Sequence, residues 1–325
     1  MCGTPLWQPD SPLWPTVHLI KSRGAALGRP GLDYVCGLLM RILITGINSA
    51  LGTAVADSLT GHEVIGLGRR AHPKYETILA DLLHEVPPLP DFDVCLHMAF
   101  ITDSKYCEAN PDAAHRVNVA ATAALAAAAP RFVLASTGYV YGFQDRPLDE
   151  DMPLAPHDAY SAMKLAAESA LAQHPNAAVL RYFFPYGPSS KPGGVINRLI
   201  VKIAAGEEIE LHEGNRPRTN PIFIADAARA TAEFCLENHR GIFNVGGDEV
   251  VSIKDLAESI GKLLGRTPRV RPTGRKIKDM IGKTQRLSRL FRPTVSLANG
   301  LQSTIADATE SLRANQQWFR QEKCA

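Results

Sequence analysis

Short apolar runs and longer helical stretches alternate along the chain from residue 40 onward. The first run, within MRILITGINSALG at residues 40–52, predicts a strand at Arg41–Thr45, a sharp turn at Gly46 and a helix from Gly52 to Leu59. A strand that is apolar almost throughout, rather than at every second position, is one covered on both faces. EVIGL (Glu63–Leu67), DVCLHM (Asp93–Met98) and RFVLA (Arg131–Ala135) repeat the signal, and helical stretches such as the alanine-rich Val117–Ala129 lie between them. Repeated βα units of this kind predict an α/β fold built on a parallel sheet with helices on both faces.

The pattern loosens after about residue 187. Val195–Ala205 has the spacing of an amphipathic helix, Glu208–Leu211 reads as a short strand, and Ser252 is placed to cap a helix that begins near Ile253. The expected organisation is an N-terminal extension over residues 1–39, a nucleotide-binding domain over 40–185, and a smaller substrate-binding lobe over 186–325 that is interleaved with the sheet. The extension carries prolines and glycines without a clear period, and Met40 stands directly before the first strand.

Composition changes this picture little. The 325 residues are 45% hydrophobic and 21% charged with a net charge of +2, which is ordinary globular composition. It gives no general reason to expect nucleic-acid or membrane binding. The most apolar stretch, Val119–Ala129, is too short to cross a bilayer. Cys2, Cys36, Cys95, Cys107, Cys235 and Cys324 form no CxxC pair, so reduced thiols in a cytoplasmic enzyme are expected, and no metal site. One local excess stands out: ten Lys/Arg against a single acid, Asp279, between Arg266 and Arg292. A solvated basic face and a grip on a diphosphate or other polyanion are both open readings.

The chemistry begins at the glycine turn. A strand, a tight turn and a helix N-terminus present backbone N–H groups and the positive end of the helix dipole, the arrangement that binds a dinucleotide pyrophosphate. At the end of the second strand Gly68 stands where an acid would hold the adenosine ribose, and Arg69 follows, which suits a 2′-phosphate and favours NADP over NAD. Asp81, before Leu82 in a loop, lies within reach of the adenine in such a fold. Further on, STGYVYG (Ser136–Gly142) is followed by YSAMK (Tyr160–Lys164). Tyr160 and Lys164 are spaced i, i+4, so on a helix they share a face, and a nearby ammonium lowers a tyrosine pKa toward use as a general base or acid. Thr137, at a strand end, is placed to hydrogen-bond the substrate oxygen whose proton moves.

In this order the motifs resemble those of the extended short-chain dehydrogenase/reductase family, the NAD(P)-dependent nucleotide-sugar epimerases, dehydratases and reductases, over roughly residues 40–320. The resemblance implies a Rossmann-type doubly wound sheet. Thr45–Gly52 is similar to the family's TGxxGxxG with Ser49 for the middle glycine, which implies cofactor contacts from Gly46, Ser49, Ala50, Leu51 and Gly52. Asp81 and Leu82 resemble the adenine-contacting pair, His97, Met98 and Ala99 the segment beside the cofactor, and Asn118 and Val119 with Thr122 the family's NVxGT, which implies a cofactor contact from Asn118. Thr137, Tyr160 and Lys164 match the catalytic positions, the latter two also facing cofactor. LRYFFPYGP (Leu180–Pro188) resembles LRYFNVYGP: Phe183 would lie near the nicotinamide, and Phe184 replaces an asparagine that commonly touches substrate. Arg216–Asp226 resembles the segment whose arginine pairs with the substrate diphosphate, a role mapped to Arg218 although Thr219 holds the strict register. Gly241–Gly247 resembles the late strand, and Ser296–Leu301 the start of the terminal helix.

The family's reaction moves a hydride between a sugar carbon and nicotinamide while the tyrosine handles the hydroxyl proton. Its dehydratases usually carry an acidic pair just after the catalytic threonine. Here those positions are Gly138 and Tyr139, so epimerase and reductase remain. A non-catalytic NADP-binding member and a reductase of a non-nucleotide ketone stand as alternatives. The expected partner is a nucleotide-sugar small molecule, without nucleic acid or membrane insertion, and a homodimer is an open expectation.

Overall fold

The computed structural model describes residues 39–188 and 194–308. The extension expected over residues 1–39 therefore lies, apart from Leu39, outside the described residues. The strands in chain order are β1 (Arg41–Thr45), β2 (Glu63–Gly68), β3 (Glu76–Leu79), β4 (Val94–His97), β5 (Arg131–Thr137), β6 (Ala177–Tyr182), β7 (Glu208–Leu211), β8 (Arg218–Thr219), β9 (Gly241–Val245), β10 (Val251–Ser252) and β11 (Arg269–Pro272). The α-helices are α1 (Ala50–Ser58), α2 (Ser104–Ala109), α3 (Pro111–His115), α4 (Ala121–Ala128), α5 (Ala159–Ala170), α6 (Val195–Ala205), α7 (Ile224–Leu236) and α8 (Ile253–Leu264).

Seven strands form one parallel sheet in the order β3-β2-β1-β4-β5-β6-β9, the Rossmann-type arrangement. Its strands are apolar on both faces because both faces are covered. Ile42 and Ile44 pack with Val55 of α1 and Ala227 and Ala228 of α7, whereas Leu43 packs with Leu125 of α4 and Ala167 of α5. Each such fully buried aliphatic side chain contributes about 1.5–3 kcal/mol. The chain leaves β1 toward β2 and β3, then returns to place β4 on the other side. Between β1 and β4, paired through Thr45 and His97, the order reverses, and the crevice beyond their carboxyl ends is where such folds bind ligands.

Outside the sheet, β7 pairs in parallel with β11, and β8 pairs antiparallel with β10. Ile200 and Ile203 of α6, Ile209 of β7 and Leu256 and Ile260 of α8 share a separate core with Leu301 and Ile305. The helix α6 and the strand β7 have the predicted bounds, and Ser252 caps α8 through a capping box with Asp255.

The differences from the expected elements have local causes. Helix α1 begins at Ala50 rather than Gly52, because Ser49 Oγ accepts from Gly52 N at 3.0 Å and acts as the cap. Strand β5 runs on to Thr137, because Ser136 and Thr137 stay in register with Arg181 and Tyr182 of β6. The expected helix over Val117–Ala129 is interrupted at its start: a π-helical turn at Arg116–Ala120 precedes α4. Five of the ten basic residues of the segment are paired with acids. Arg269 and Arg271 pair with Glu208 and Glu210 of β7, while Lys278, Lys283 and Arg286 pair with Asp145, Asp149 and Asp151.

Candidate active site

The turn after β1 is tightly built. Gly46 has φ +72°, and a Cβ there would lie 2.9 Å from the Ala99 amide nitrogen, so this turn accepts no side chain. A Cβ on Gly52 would lie 2.5 Å from the Gly46 carbonyl oxygen. The replacement of a family glycine by Ser49 thus has a structural gain, the capping bond to Gly52. The N–H groups of Ala50 and Leu51 are among those that a helix start leaves without intrahelical partners. A bare backbone cradle at the N-terminus of a nine-residue helix, at the point where strand order reverses, fits the pyrophosphate of a dinucleotide.

The loop after β4 is fastened from two sides. Thr45 Oγ1 accepts from Met98 N at 3.1 Å and from Ala99 N at 3.0 Å, so its own proton goes to His97 Nδ1, 2.7 Å away. That leaves the hydrogen of neutral His97 on Nε2, which is buried without a hydrogen-bond partner among the described residues. Burial, with a smaller contribution from the Lys164 charge, pushes the His97 pKa down to about 3. From the other side, Asn118 accepts from Ile101 N at 2.8 Å and donates to Ile101 O at 3.0 Å. Asn118 was expected to touch cofactor. Its side chain is instead fully buried and committed to the backbone of the loop that does face the crevice.

Thr137 ends β5 beside the crevice. Its Oγ1 accepts from Tyr139 N at 3.3 Å. Tyr160 is held in the first turn of α5, whose cap is fixed by Asp158 Oδ1 accepting from Ser161 N at 2.7 Å and by Ser161 Oγ accepting from Asp158 N at 3.2 Å. Lys164 follows one turn later on the same face, as its spacing predicts. The expected electrostatic consequence is corrected, however. The ammonium donates to the Ala135 carbonyl at 2.5 Å and lies 3.1 Å from the Phe100 ring centroid, against 6.0 Å from the Tyr160 ring. Burial therefore dominates both groups. It raises the Tyr160 pKa above the ordinary phenol value, with the nearby Thr137 hydroxyl opposing, and lowers that of Lys164 well below the ordinary amine value, with Glu168 opposing.

Glu168 was not singled out from the sequence, although it continues the face of Tyr160 and Lys164 at the next i+4 position. It forms a buried pair with Arg181 at 2.6 Å and accepts from Ser136 Oγ, tying α5 to β5 and β6 directly beneath the site. Phe100, which cups the Lys164 ammonium, gave no signal beyond its place after Ala99.

The remaining expected residues divide. Arg69 is exposed just beyond β2, where the reading placed it, and Leu82 is buried while Asp81 accepts from Leu83 N at 3.0 Å. Phe183 is only 1% exposed, stacked with Tyr141 and so close against Gly138 and Gly282 that neither position has room for a Cβ. Its ring is enclosed on all sides by these neighbours. Phe184 has φ +49° and is half-buried. Arg218, half-exposed, is held by Asp279 through Nε at 3.1 Å and Nη2 at 2.7 Å, with Arg216 3.4 Å from the same carboxylate. Burial raises the Asp279 pKa, but the two guanidinium groups outweigh it and hold the carboxyl below its ordinary value. Among the described residues no cluster of three His, Cys, Asp or Glu side chains is arranged for a metal, Cys95, Cys107 and Cys235 are free thiols, and no helix is long and apolar enough to cross a membrane.

Comparison with known proteins agrees with this architecture. The probable low-salt glycan biosynthesis reductase Agl14 of Haloferax volcanii is 30% identical over 244 residues, covering 70% of this chain and 81% of its own. The dTDP-glucose 4,6-dehydratase of Streptomyces griseus is 28% identical over 317 residues, covering 90% and 94%. Among solved structures, MoeE5 in complex with UDP-glucose and NAD superposes with a TM-score of 0.72 at 25% identity, covering 84% of this chain and 99% of its own. The profile described as the NAD dependent epimerase/dehydratase family matches residues 42–246. The chain belongs to that family and is an enzyme of the extended short-chain dehydrogenase/reductase type.

Proposed function

We propose that the enzyme binds NADP or NAD and moves a hydride at a sugar carbon of a nucleotide-sugar, with Thr137, Tyr160 and Lys164 as its catalytic residues. The observation that carries this reading is Lys164, one turn after Tyr160 on α5, which bonds the Ala135 carbonyl of β5 two residues before Thr137 and rests on Phe100, next to the Ala99 amide that packs against the Gly46 turn. The backbone from Gly46 to Gly52 holds the pyrophosphate, Met98 and Ala99 line the cofactor, and Asp81 and Leu82 face the adenine. Arg69 meets a 2′-phosphate, which supports NADP, whereas the NAD in the MoeE5 complex supports NAD. The nicotinamide, when bound, accepts or returns the hydride.

Thr137 orients the substrate oxygen, and Tyr160 exchanges its proton. With its pKa raised, Tyr160 is a neutral phenol at pH 7, the form that donates to the oxygen of a ketone being reduced. The segments that share the core separate from the sheet, α6, β7 and α8 with Leu301 and Ile305, form the substrate lobe, beside which Arg218 faces the diphosphate. The pairing of Arg218 with Asp279 favours a second reading, reduction of a ketone that carries no diphosphate.

The test is identification of the nucleotide released from purified protein, followed by NADPH and NADH oxidation with keto-sugar nucleotides and simple ketones. Oxidation dependent on a keto-sugar nucleotide is expected. Absence of any dinucleotide binding contradicts the proposal, and turnover of simple ketones alone selects the second reading.

A further inference from the structure

Lys164 is only 3% exposed, and neither group its ammonium touches is an anion. It donates to the Ala135 carbonyl at 2.5 Å and rests on the Phe100 ring, whose centroid lies 3.1 Å away. A buried ammonium without a counter-ion sheds its proton unless something else offsets the lost hydration. Glu168 is the one carboxylate whose charge reaches it, and that carboxylate is already taken. Arg181 donates to it from Nη2 at 2.6 Å and from Nε at 3.1 Å, and Ser136 Oγ donates to it as well. The other titratable groups nearby supply no negative charge. His97 of β4 is a neutral imidazole, Tyr160 of the same helix a neutral phenol, and Cys107 of α2 a thiol whose pKa burial raises. Arg116, in the π-helical turn beside α5, is exposed.

The ring is fixed from both sides along the chain. Ala99, just before it, donates its N–H to Thr45 Oγ1 at 3.0 Å. Ile101, just after it, donates its N–H to Asn118 at 2.8 Å, and its carbonyl accepts from Asn118 at 3.0 Å and from Cys107 Sγ at 3.6 Å. The His97 ring packs against Phe100 with centroids 5.2 Å apart. Held in this way, the ring turns its electron-rich face to the ammonium, and such a face attracts a desolvated cation more strongly than a hydrated one.

We propose that Phe100 is a positioning residue that stands in for a counter-ion: its ring face holds Lys164 as an ammonium, 6.0 Å from the Tyr160 ring, so that the phenolate left when Tyr160 gives up its proton meets a positive charge. The proposal rests on the hydride-transfer reading of the same site.

Two ring variants test it. Phe100→Leu removes the ring, and pentafluorophenylalanine at position 100 keeps the ring's shape while drawing electron density off its face, so the second is expected to fold as the parent does. The first measurement needs no turnover: the Tm at pH 7 of each variant, made in the parent and in a Lys164→Leu background. Leucine is used there because a methionine thioether itself packs on aromatic rings. Each ring change should lower the Tm by about 2 °C or more beyond its effect in the Lys164→Leu background. Equal losses in the two backgrounds reduce the ring to packing and overturn the proposal.

The second measurement is single-turnover reduction of a keto-sugar nucleotide between pH 7 and pH 9. Loss of the ring face lowers the Lys164 pKa, so the ammonium is lost at the alkaline end. A rate nearly flat in the parent should fall by about threefold or more toward pH 9 in both variants. Profiles as flat as the parent's overturn the proposal. An excess Tm loss in the parent, with no hydride transfer by any form of the enzyme, supports the ring–ammonium contact and overturns the hydride-transfer reading.

Discussion

Lys164 reaches past Tyr160: the ammonium bonds the Ala135 carbonyl at 2.5 Å and rests against Phe100, 6.0 Å from the ring of the phenol one turn earlier. The pair shares a helix face, yet each group is governed first by its own burial. The amine is costly to charge there, and the phenol is costly to deprotonate.

Lys164→Met should therefore separate catalysis from folding. It removes a buried ammonium and keeps an unbranched apolar stem, so the Tm is expected to stay the same or rise. Hydride transfer in a single turnover should fall by about 100-fold or more, the scale of a lost proton-transfer partner. A lower Tm with turnover intact would place the residue in the scaffold alone.

The raised Tyr160 pKa sets a direction of pH dependence. Only the phenolate accepts a proton from an alcohol, so below the folded-state pKa its population rises about tenfold per pH unit. Single-turnover oxidation is expected to climb from pH 7 to pH 9, whereas reduction, which uses the neutral phenol, should be nearly flat. Rapid mixing with nicotinamide absorbance as the readout distinguishes the two. An oxidation rate independent of pH would remove Tyr160 as the base.

Arg218→Ala should act on substrate rather than cofactor. The proposed diphosphate contact predicts a KM for the nucleotide-sugar raised by about tenfold or more, from the loss of about 1.5–3 kcal/mol of charge-assisted hydrogen bonding. Dinucleotide affinity should not change. Arg216 remains beside Asp279, so the carboxylate keeps a partner. An unchanged KM would favour a substrate without a diphosphate.

His97 predicts part of the acid sensitivity. Its pKa lies at about 3 in the folded protein, below the ordinary 6.5, so the unfolded chain binds a proton that the folded one refuses. The stability it contributes is fully present above pH 6.5 and declines at up to about 1.4 kcal/mol per pH unit as the pH falls toward 3. Urea unfolding at pH 4 to 7 should show a shallower pH slope for His97→Gln than for the parent. Identical slopes would contradict the buried neutral imidazole.

Much of this was legible in the chain because its signals are local. The glycine turn, the continuous apolar strands, the cap at Ser252 and the i, i+4 spacing of Tyr160 and Lys164 are each set within a few residues, and the fold reproduces them. What was not legible depends on residues distant in sequence. Asn118 bonds a loop 17 residues earlier, Asp279 reaches Arg218 across 61 residues, and the closure of Phe183 depends on Gly282. The pKa of Tyr160 was misread for the same reason. Spacing gives the neighbour, but burial is a property of the whole fold.

The most direct measurement of the central claim compares the parent enzyme with Tyr160→Phe, using calorimetric titration of dinucleotide and a single turnover with the keto-sugar nucleotide found active. The account predicts dinucleotide affinity within about threefold of the parent and hydride transfer reduced by about 100-fold or more. Hydride transfer at the parental rate in Tyr160→Phe would contradict it.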